Sequence, residues 1–288
     1  MLTQELRDSL LAGLQDGSIV PYLGPGVLAD VRNTATGAPM PATSEQLILA
    51  MNGGKPMSPK LMYEFPRAAM NVELKRGRAA VTKFLDATYG TTAGTTTWSR
   101  GALHDWIKDL RPRYVIDINR DTQLLDSYTG VPHLLILGCA RIGGTDYRFK
   151  LFASDGKDYT AIRPEQAPDG LPILFKPMGA PRPESSYIAS DADYVDYITE
   201  LMGGFAVPSF VKQLRVGKRY LFLGMRFNRD SERMVMADLI YGGVQPPLTA
   251  GWAFIEAPTE KEKRYLKRMG IAIVSASCTE MLVAAQPA

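Results

Sequence analysis

The sequence predicts an α/β fold, with a mostly parallel sheet covered by helices on both faces. In the C-terminal half, short apolar segments of strand length alternate with segments of helical periodicity. The first apolar segment, 19–23, stops at Gly24-Pro25-Gly26 with no polar turn residue. Such an end is typical either of a tight structural turn or of a backbone that comes close to a phosphate group.

The N-terminal half is predicted to contain a helix, a strand and then a helical insert. Leucines at helical spacing predict a helix over 3–15, and the strand over 19–23 follows it. We expect residues 44–98 to form a helical insert, broken at 52–59 and ending in a low-complexity loop over 88–98. A further helix is expected over 103–110.

The rest of the chain is predicted to alternate strands with helices. Strands are expected over 113–119, 133–140, 171–179, 219–227, 251–257 and 271–276, with an edge hairpin within 143–172. Helices are expected over 190–202, 231–241 and 260–269, the first of them opened by a capping box of Ser190 and Asp193.

The composition limits the classes of function. The chain of 288 residues is 45% hydrophobic and 22% charged, as in an ordinary globular protein. Its net charge of +3 is too small to indicate a nucleic-acid partner. Cys139 and Cys278 form no CxxC motif, which excludes a zinc ribbon and predicts buried thiols and no metal site. No apolar run reaches membrane-spanning length and the N-terminal segment has no signal-peptide core, so we expect a cytoplasmic protein without a membrane partner.

Glycines and polar residues follow several of the predicted strands. The residues at four such ends are Gly24-Pro25-Gly26, Asn119-Arg120-Asp121, Met178-Gly179 and Gly224-Met225-Arg226. Ligands of parallel sheets bind at the carboxyl ends of the strands. Glycine at three of the four ends therefore suggests a backbone packed close to a shared ligand.

Six segments have the order and spacing of one known family. They are IVPYLGPGV, LHDWIKDLRPRYVIDINRDTQLLDS, ILFKPMGAP, YIASDADYVDYI, KRYLFLGMRFNRDSERMV and RMGIAIVSAS. Together they resemble the SIR2-like family, the broad relatives of sirtuins, over roughly residues 5–284. The resemblance implies one SIR2-like domain over residues 1–288, with a Rossmann-like three-layer fold, a mostly parallel sheet and the helical insert after the first strand.

The resemblance also implies a cofactor and a site. SIR2-like proteins bind NAD; some are deacylases, and others hydrolyse NAD as stress or anti-phage effectors. The resemblance places NAD or ADP-ribose against Gly24, Pro25, Gly26, Gly179, Gly224 and Arg226. It makes Asn119 and Asp121 the candidate catalytic residues, which would hold the nicotinamide-side ribose and a water.

Each of these assignments has a structural alternative. The alternative for the glycines at 24 and 26 is a tight turn from strand to loop, and the alternative for Asn119 and Asp121 is a strand-end turn with Asx hydrogen bonds. Arg226 would either pair with a phosphate or block the pocket. Arg233 resembles the family's helix arginine, with an ordinary ion pair to a neighbouring acid as the alternative.

Several residues depart from the family pattern. Met178 occupies the position of the catalytic histidine, and a thioether has no titratable proton with which to act as a general base. Pro25 removes one backbone N–H donor, and Leu28 replaces a serine. The two histidines, His104 and His133, do not match the catalytic position.

Three functions stay open on these grounds. The first is NAD or ADP-ribose binding with weakened or lost catalysis, in a sensory or regulatory role. The second is NAD⁺ hydrolysis through Asn119 and Asp121, and the third is an interaction protein with a relic pocket. A deacylase fits less well, because it needs the histidine. A protein partner or a homo-oligomer is compatible with any of the three.

Overall fold

The structure is a computed structural model that describes residues 2–90, 97–142, 147–240 and 250–282. Within these ranges the strands are β1 (Ile19–Leu23), β2 (Tyr114–Asp117), β3 (His133–Gly138), β4 (Phe149–Ser154), β5 (Tyr159–Ala161), β6 (Ile173–Lys176), β7 (Gly179–Ala180), β8 (Ser186–Tyr187), β9 (Arg219–Leu223), β10 (Gly251–Phe254) and β11 (Ile271–Val274). The helices are α1 (Gln4–Gln15), α2 (Ser44–Met51), α3 (Pro59–Met62), α4 (Phe65–Arg76), α5 (Arg78–Tyr89), α6 (Ala102–Leu110), α7 (Gln123–Ser127), α8 (Asp191–Gly203), α9 (Ser209–Leu214), α10 (Asp230–Ile240) and α11 (Glu260–Arg268).

Nine strands of the described chain form one mostly parallel sheet. Their order is β11-β10-β9-β1-β2-β6-β3-β4-β5, and all pairs from β11 to β3 are parallel. Strands β4 and β5 add an antiparallel edge, which confirms the edge hairpin expected within 143–172. From β1 the chain first builds the β2 side of the sheet and later returns to build the β9 side. The strand order therefore reverses at β1, where α/β proteins of this kind bind their ligands.

Helices cover both faces of the sheet, because successive strand residues point to opposite sides. Leu23 and Val115 join one buried cluster, with side chains of α1, α2 and α4 to α7. Tyr22 and Ile116 join a second, with side chains of α8 to α11. This confirms the predicted three-layer α/β fold.

The helical insert lies between β1 and β2 and contains α2, α3, α4 and α5. Thr43 and Gln46 form a capping box at the start of α2. The expected break at 52–59 separates α2 from α3. Residues 91–96 of the predicted low-complexity loop lie outside the described residues.

Two short helices, α7 and α9, were not predicted from the sequence, and the predicted capping box at Ser190 and Asp193 is present. Strand ends were predicted too late in the chain at β2, β3, β6, β9, β10 and β11, where the last predicted residues lie beyond the strand. No helix in the described ranges combines the length and the apolar character needed to cross a lipid bilayer.

Candidate functional site

Two adjoining spaces lie at the carboxyl ends of the central strands. The larger, which we call the cleft, has a volume of about 450 Å³ and is lined by residues that follow β1, β9, β10 and β11. The smaller, which we call the chamber, has about 30 Å³ and is lined by residues of β2, α4, α8 and α10 or next to them. Pro25, Ser44 and Glu232 line both spaces, and we call these three residues the shared wall.

The two spaces differ in the size of the molecule that each can hold. Small-molecule sites in proteins commonly measure about 300–1,000 Å³, and the cleft falls in that range. The chamber has room for roughly one or two water molecules. The cleft can therefore hold a nucleotide, and the chamber in this conformation can hold water.

Glycines at the ends of β1 and β9 pack against each other. The N–H of Gly24 donates to the carbonyl of Leu223 at 2.9 Å, and the N–H of Gly26 donates to the carbonyl of Gly224 at 2.7 Å. A Cβ on Gly26 would lie 2.8 Å from the Cα of Gly224, and Gly224 itself has a φ of +65°. Both N–H groups are thus already used within the protein. Close packing of two strand ends accounts for the glycines, and the cleft begins beside them.

Gly179 has a similar explanation. Its φ is +81°, and a Cβ there would collide with the backbone of Ser186 and lie 3.0 Å from the Cα of Tyr187. Strand β7 pairs with β8 at this point. Gly179 lines neither the cleft nor the chamber, whereas Met178 lines the chamber.

Asn119 lines the chamber at the end of β2, and a buried network holds it there. Its Nδ2 donates to Asp117 Oδ1 at 2.8 Å and to the carbonyl of Gly24 at 3.1 Å. Asp117 is paired in turn with Lys176, whose Nζ lies 2.6 Å from Oδ2, and both side chains are fully buried. Asn119 and Met178 therefore share one small space.

Asp121 lies deeper and away from both spaces. It is fully buried, its Oδ1 accepts from the N–H of Gln123 at 2.7 Å, and its Oδ2 has no hydrogen-bond partner among the described residues. Burial raises the pKa of Asp121, although nearby Lys176 opposes the shift. The Asx-type contact to Gln123 matches the structural alternative for this residue.

Neither histidine reaches the chamber. His104, on α6, is fully buried, and neither ring nitrogen has a hydrogen-bond partner within the described residues. Burial lowers the pKa of His104. His133 contacts the carbonyl of Val131 at 2.7 Å and the hydroxyl of Tyr159 at 3.0 Å, on the far side of β6. The sequence prediction placed both outside the catalytic position.

Arg226 lines the cleft in a bidentate ion pair with Glu262. Its Nε and one terminal nitrogen each lie 2.7 Å from a Glu262 carboxylate oxygen. Glu262 also accepts from Thr259 at the start of α11, and these contacts outweigh desolvation and lower its pKa to about 2. Arg226 thus lies along the wall and does not fill the cleft. Its guanidinium is paired with a carboxylate of the protein. This differs from both expectations, which were pairing with a ligand phosphate and blocking of the pocket.

Arg233 forms an ion pair with a neighbouring acid, which is the structural alternative given for it. It donates from Nε to the carbonyl of Phe227 at 2.6 Å and pairs with Asp230 at 3.2 Å. Its guanidinium lies over the ring of Tyr265, 4.7 Å from the ring centre. These contacts fix the loop that leads from β9 into α10.

Three further residues line the site, although the sequence analysis gave none of them a role in it. Arg120 lines the chamber and donates to the carbonyl of Ile188 at 2.6 Å and the hydroxyl of Tyr194 at 3.2 Å. Glu232, in the first turn of α10, belongs to the shared wall. Glu256 follows β10 and lines the cleft. No motif marks the two glutamates, and only their place at a strand end or helix start relates them to the site.

Charges of both signs line the cleft. The cations are Arg226 and Arg229, and the acids are Glu45, Glu232 and Glu256. Arg229 lies over the ring of Tyr63 at 4.8 Å. The described residues include no cluster of three or more side chains able to hold a metal ion. A ligand that fits this wall carries hydroxyl or amino donors as well as anionic groups.

Comparison with known protein families identifies the C-terminal part of the chain. Residues 144–274 match the SIR2-like domain family. The match covers a little under half of the chain, from the segment before β4 to the end of β11, and confirms the resemblance over those residues. No curated protein shows significant similarity to the chain.

The SIR2-like segment carries one side of the site. It includes Met178, Gly224, Arg226 and Glu232, whereas Asn119 precedes it. The fold brings both parts together at the chamber. The SIR2-like family is NAD-related.

Proposed function

We propose that the protein binds NAD or ADP-ribose in the cleft, with weakened catalysis, in a sensory or regulatory role. The observation that carries the proposal is a cleft of about 450 Å³ at the point where the strand order reverses. Nucleotides bind Rossmann-like sheets at this point.

The wall of the cleft suggests how the ligand lies. Glu256 follows β10 and offers carboxylate oxygens that suit ribose hydroxyl donors. Ser44 and Glu45 begin α2, so backbone N–H groups at this helix start and the guanidinium of Arg229 are available to the phosphates. In this arrangement the adenosine lies toward β10 and β11, and the nicotinamide-side ribose lies toward the shared wall.

Weakened catalysis follows from the chamber. Met178 supplies no titratable group there, and Asn119 is the polar side chain that the family resemblance places beside the reacting ribose. NAD⁺ hydrolysis is a second candidate function, because the chamber that contains Asn119 shares a wall with the cleft. An interaction role with a relic pocket is the remaining alternative.

Calorimetric titration with NAD⁺, ADP-ribose and ATP tests the proposal. Ala257 is exposed and lines the cleft, so Ala257→Trp fills the cleft without entering the core. We expect the unsubstituted protein to bind NAD⁺ or ADP-ribose and the variant to bind at least about tenfold more weakly.

Ala161→Trp is the matched control. Ala161 is also exposed, on the edge strand β5, and lines neither the cleft nor the chamber. The control should bind as the unsubstituted protein does. If none of the three nucleotides binds, the nucleotide proposal is wrong and the interaction role gains support.

A further inference from the structure

We propose that Glu232 is a catalytic residue that acts as the general base in place of the histidine, by taking a proton from a water molecule in the chamber during hydrolysis of NAD⁺. The inference deepens the proposed function, since it assumes that the cleft binds the dinucleotide. Glu232 takes the place of Asp121 as the proposed catalytic carboxylate, because Asp121 lines neither space.

The position of Glu232 is the first argument. Glu232 lines the chamber together with Asn119 and Met178, and it also lines the cleft. A substrate whose reacting ribose lies against the shared wall has Glu232 on the side where water fits. Among the described residues it is the only carboxylate that lines both spaces.

The carboxylate of Glu232 is also available for proton transfer. Within the described part of the chain, no hydrogen bond or ion pair to its side chain is present. The start of α10 is held by a different acid, since Glu64 accepts from the N–H of Asp230 at 2.8 Å and of Ser231 at 3.3 Å. Glu232 is therefore positioned by its helix without being used as the helix cap.

The electrostatic surroundings support the same role. Desolvation raises the pKa of Glu232 to about 7, and Glu64 adds to the shift. Charged and titratable groups face it from its own helix and from its neighbours: Arg229, Arg233, Arg120, Glu64, Tyr194 and Tyr22. A general base is most effective when its pKa lies near the working pH.

The reaction balances with these parts. The bond between C1′ of the ribose and the nicotinamide nitrogen breaks, and its electron pair stays on the nitrogen, which leaves as neutral nicotinamide. The water oxygen bonds to C1′, and one water proton passes to the Glu232 carboxylate and then to solvent. Asn119, held by Asp117 and Gly24, orients the water or the ribose.

Glu232→Gln tests the proposal, because the amide keeps the size of the side chain and cannot take the proton. Nicotinamide release from NAD⁺ should fall by about 10²–10⁴-fold, while ADP-ribose binding measured by calorimetry is retained. The rate for the unsubstituted protein should rise with pH through about 7, and this rise should be lost in the variant. Glu232→Asp keeps a titratable group and should retain both the rise and part of the rate.

Asp238→Asn is the matched control. Asp238 lies on the same helix, its pKa is also raised by burial, and it lines neither space. It removes the same charge and should leave both the rate and its pH dependence unchanged.

Two results overturn the role of Glu232 while leaving nucleotide binding intact. One is an unsubstituted protein that binds NAD⁺ and releases no nicotinamide. The other is a Glu232→Gln variant as fast as the unsubstituted protein, with the same pH dependence. Failure of the unsubstituted protein to bind NAD⁺ or ADP-ribose overturns the proposed function as well.

Discussion

Met178 is the residue that the family resemblance assigns to the position of the catalytic histidine, and a substitution there can test that assignment. Its side chain is 3% exposed and lines the chamber with Asn119. An imidazole at this position would bring a second proton acceptor to the chamber. We expect Met178→His to raise nicotinamide release by at least about tenfold, measured on purified protein with NAD⁺ at saturation.

Two further variants separate chemistry from packing at Met178. Adding Asn119→Ala should remove the gain, because the new base then acts on a water or ribose that nothing orients. Combining Met178→His with Glu232→Gln should restore part of the lost rate, since either group can accept the proton. A lower melting temperature without any gain in rate would show that Met178 only fills space.

The sequence predicted these residues unevenly, for physical reasons. The places of Asn119 and Met178 followed from strand ends, and parallel strands put their carboxyl ends on one edge. For Asp121 and Glu232, the sequence did not show which of the two acids lines the site. Whether an acid points into a space or into the core depends on helix rotation and packing, and no local pattern records that.

At the scale of elements, the glycine at the end of β9 allows close packing between the ends of β1 and β9, which are remote in sequence. Gly224 has a φ of +65°, and a Cβ there would lie 2.9 Å from the Cα of Gly26 and closer still to Val27. Gly224→Ala should therefore lower the free energy of unfolding by about 3 kcal/mol or more, from backbone strain of about 1–2 kcal/mol and the steric clash together. Urea unfolding followed by circular dichroism measures it.

Gly217→Ala provides the comparison. Gly217 has a φ of +72°, and a Cβ there would have no atom within 4 Å. Gly217→Ala should therefore lower the free energy of unfolding only by the backbone strain, about 1–2 kcal/mol. Equal losses at the two positions would contradict the packing of β1 against β9 described above.

The start of α11 predicts a pH dependence of stability. The folded pKa of Glu262, about 2, is below its ordinary value of 4.5, because Arg226 and Thr259 bond its carboxylate. Its contribution is therefore fully present above about pH 4.5 and is lost as the pH falls toward 2. Glu262→Gln should destabilise the protein at pH 7 and make stability fall less steeply between pH 5 and pH 3.

Glu260→Gln is the control for Glu262. Glu260 begins the same helix, is exposed and pairs with Lys263 at 2.8 Å. Exposed pairs contribute little, so this variant should follow the unsubstituted protein at each pH. If the unfolding free energy of Glu262→Gln, measured in urea, falls with pH as steeply as that of the unsubstituted protein, the Arg226–Glu262 pair does not cause the pH dependence.

The elements themselves could largely be predicted from the sequence. The apolar segments at 19–23 and 133–138 are strands because buried strands of such a sheet need apolar side chains on both faces. Helices α7 and α9, of five and six residues, are too short to show a helical period. The reason for the strand-end glycines was also out of reach, since their steric partners come from a distant part of the chain.

At the scale of the whole molecule, the site depends on the return of the chain across β1. Residues after β1 and β2 supply one side, and residues after β9, β10 and β11 supply the other. A ligand in the cleft contacts residues after β1 together with residues after β9, β10 and β11, which are remote from β1 in sequence. Its binding energy is therefore added to the stability of the fold.

This linkage gives a prediction for thermal unfolding. ADP-ribose at 100 times its dissociation constant should stabilise the native state by about 2.7 kcal/mol, because it binds the folded chain and not the unfolded one. For a chain of 288 residues the melting temperature should rise by roughly 4–5 °C. Differential scanning calorimetry with increasing ADP-ribose measures the shift. The Ala161→Trp control should show the same rise, and Ala257→Trp should show about half of it or less, because only the latter fills the cleft and weakens binding at least about tenfold. An equal rise in both variants would place the ligand outside the cleft, while no rise in any of the three proteins at millimolar ADP-ribose would argue against a nucleotide site in this fold.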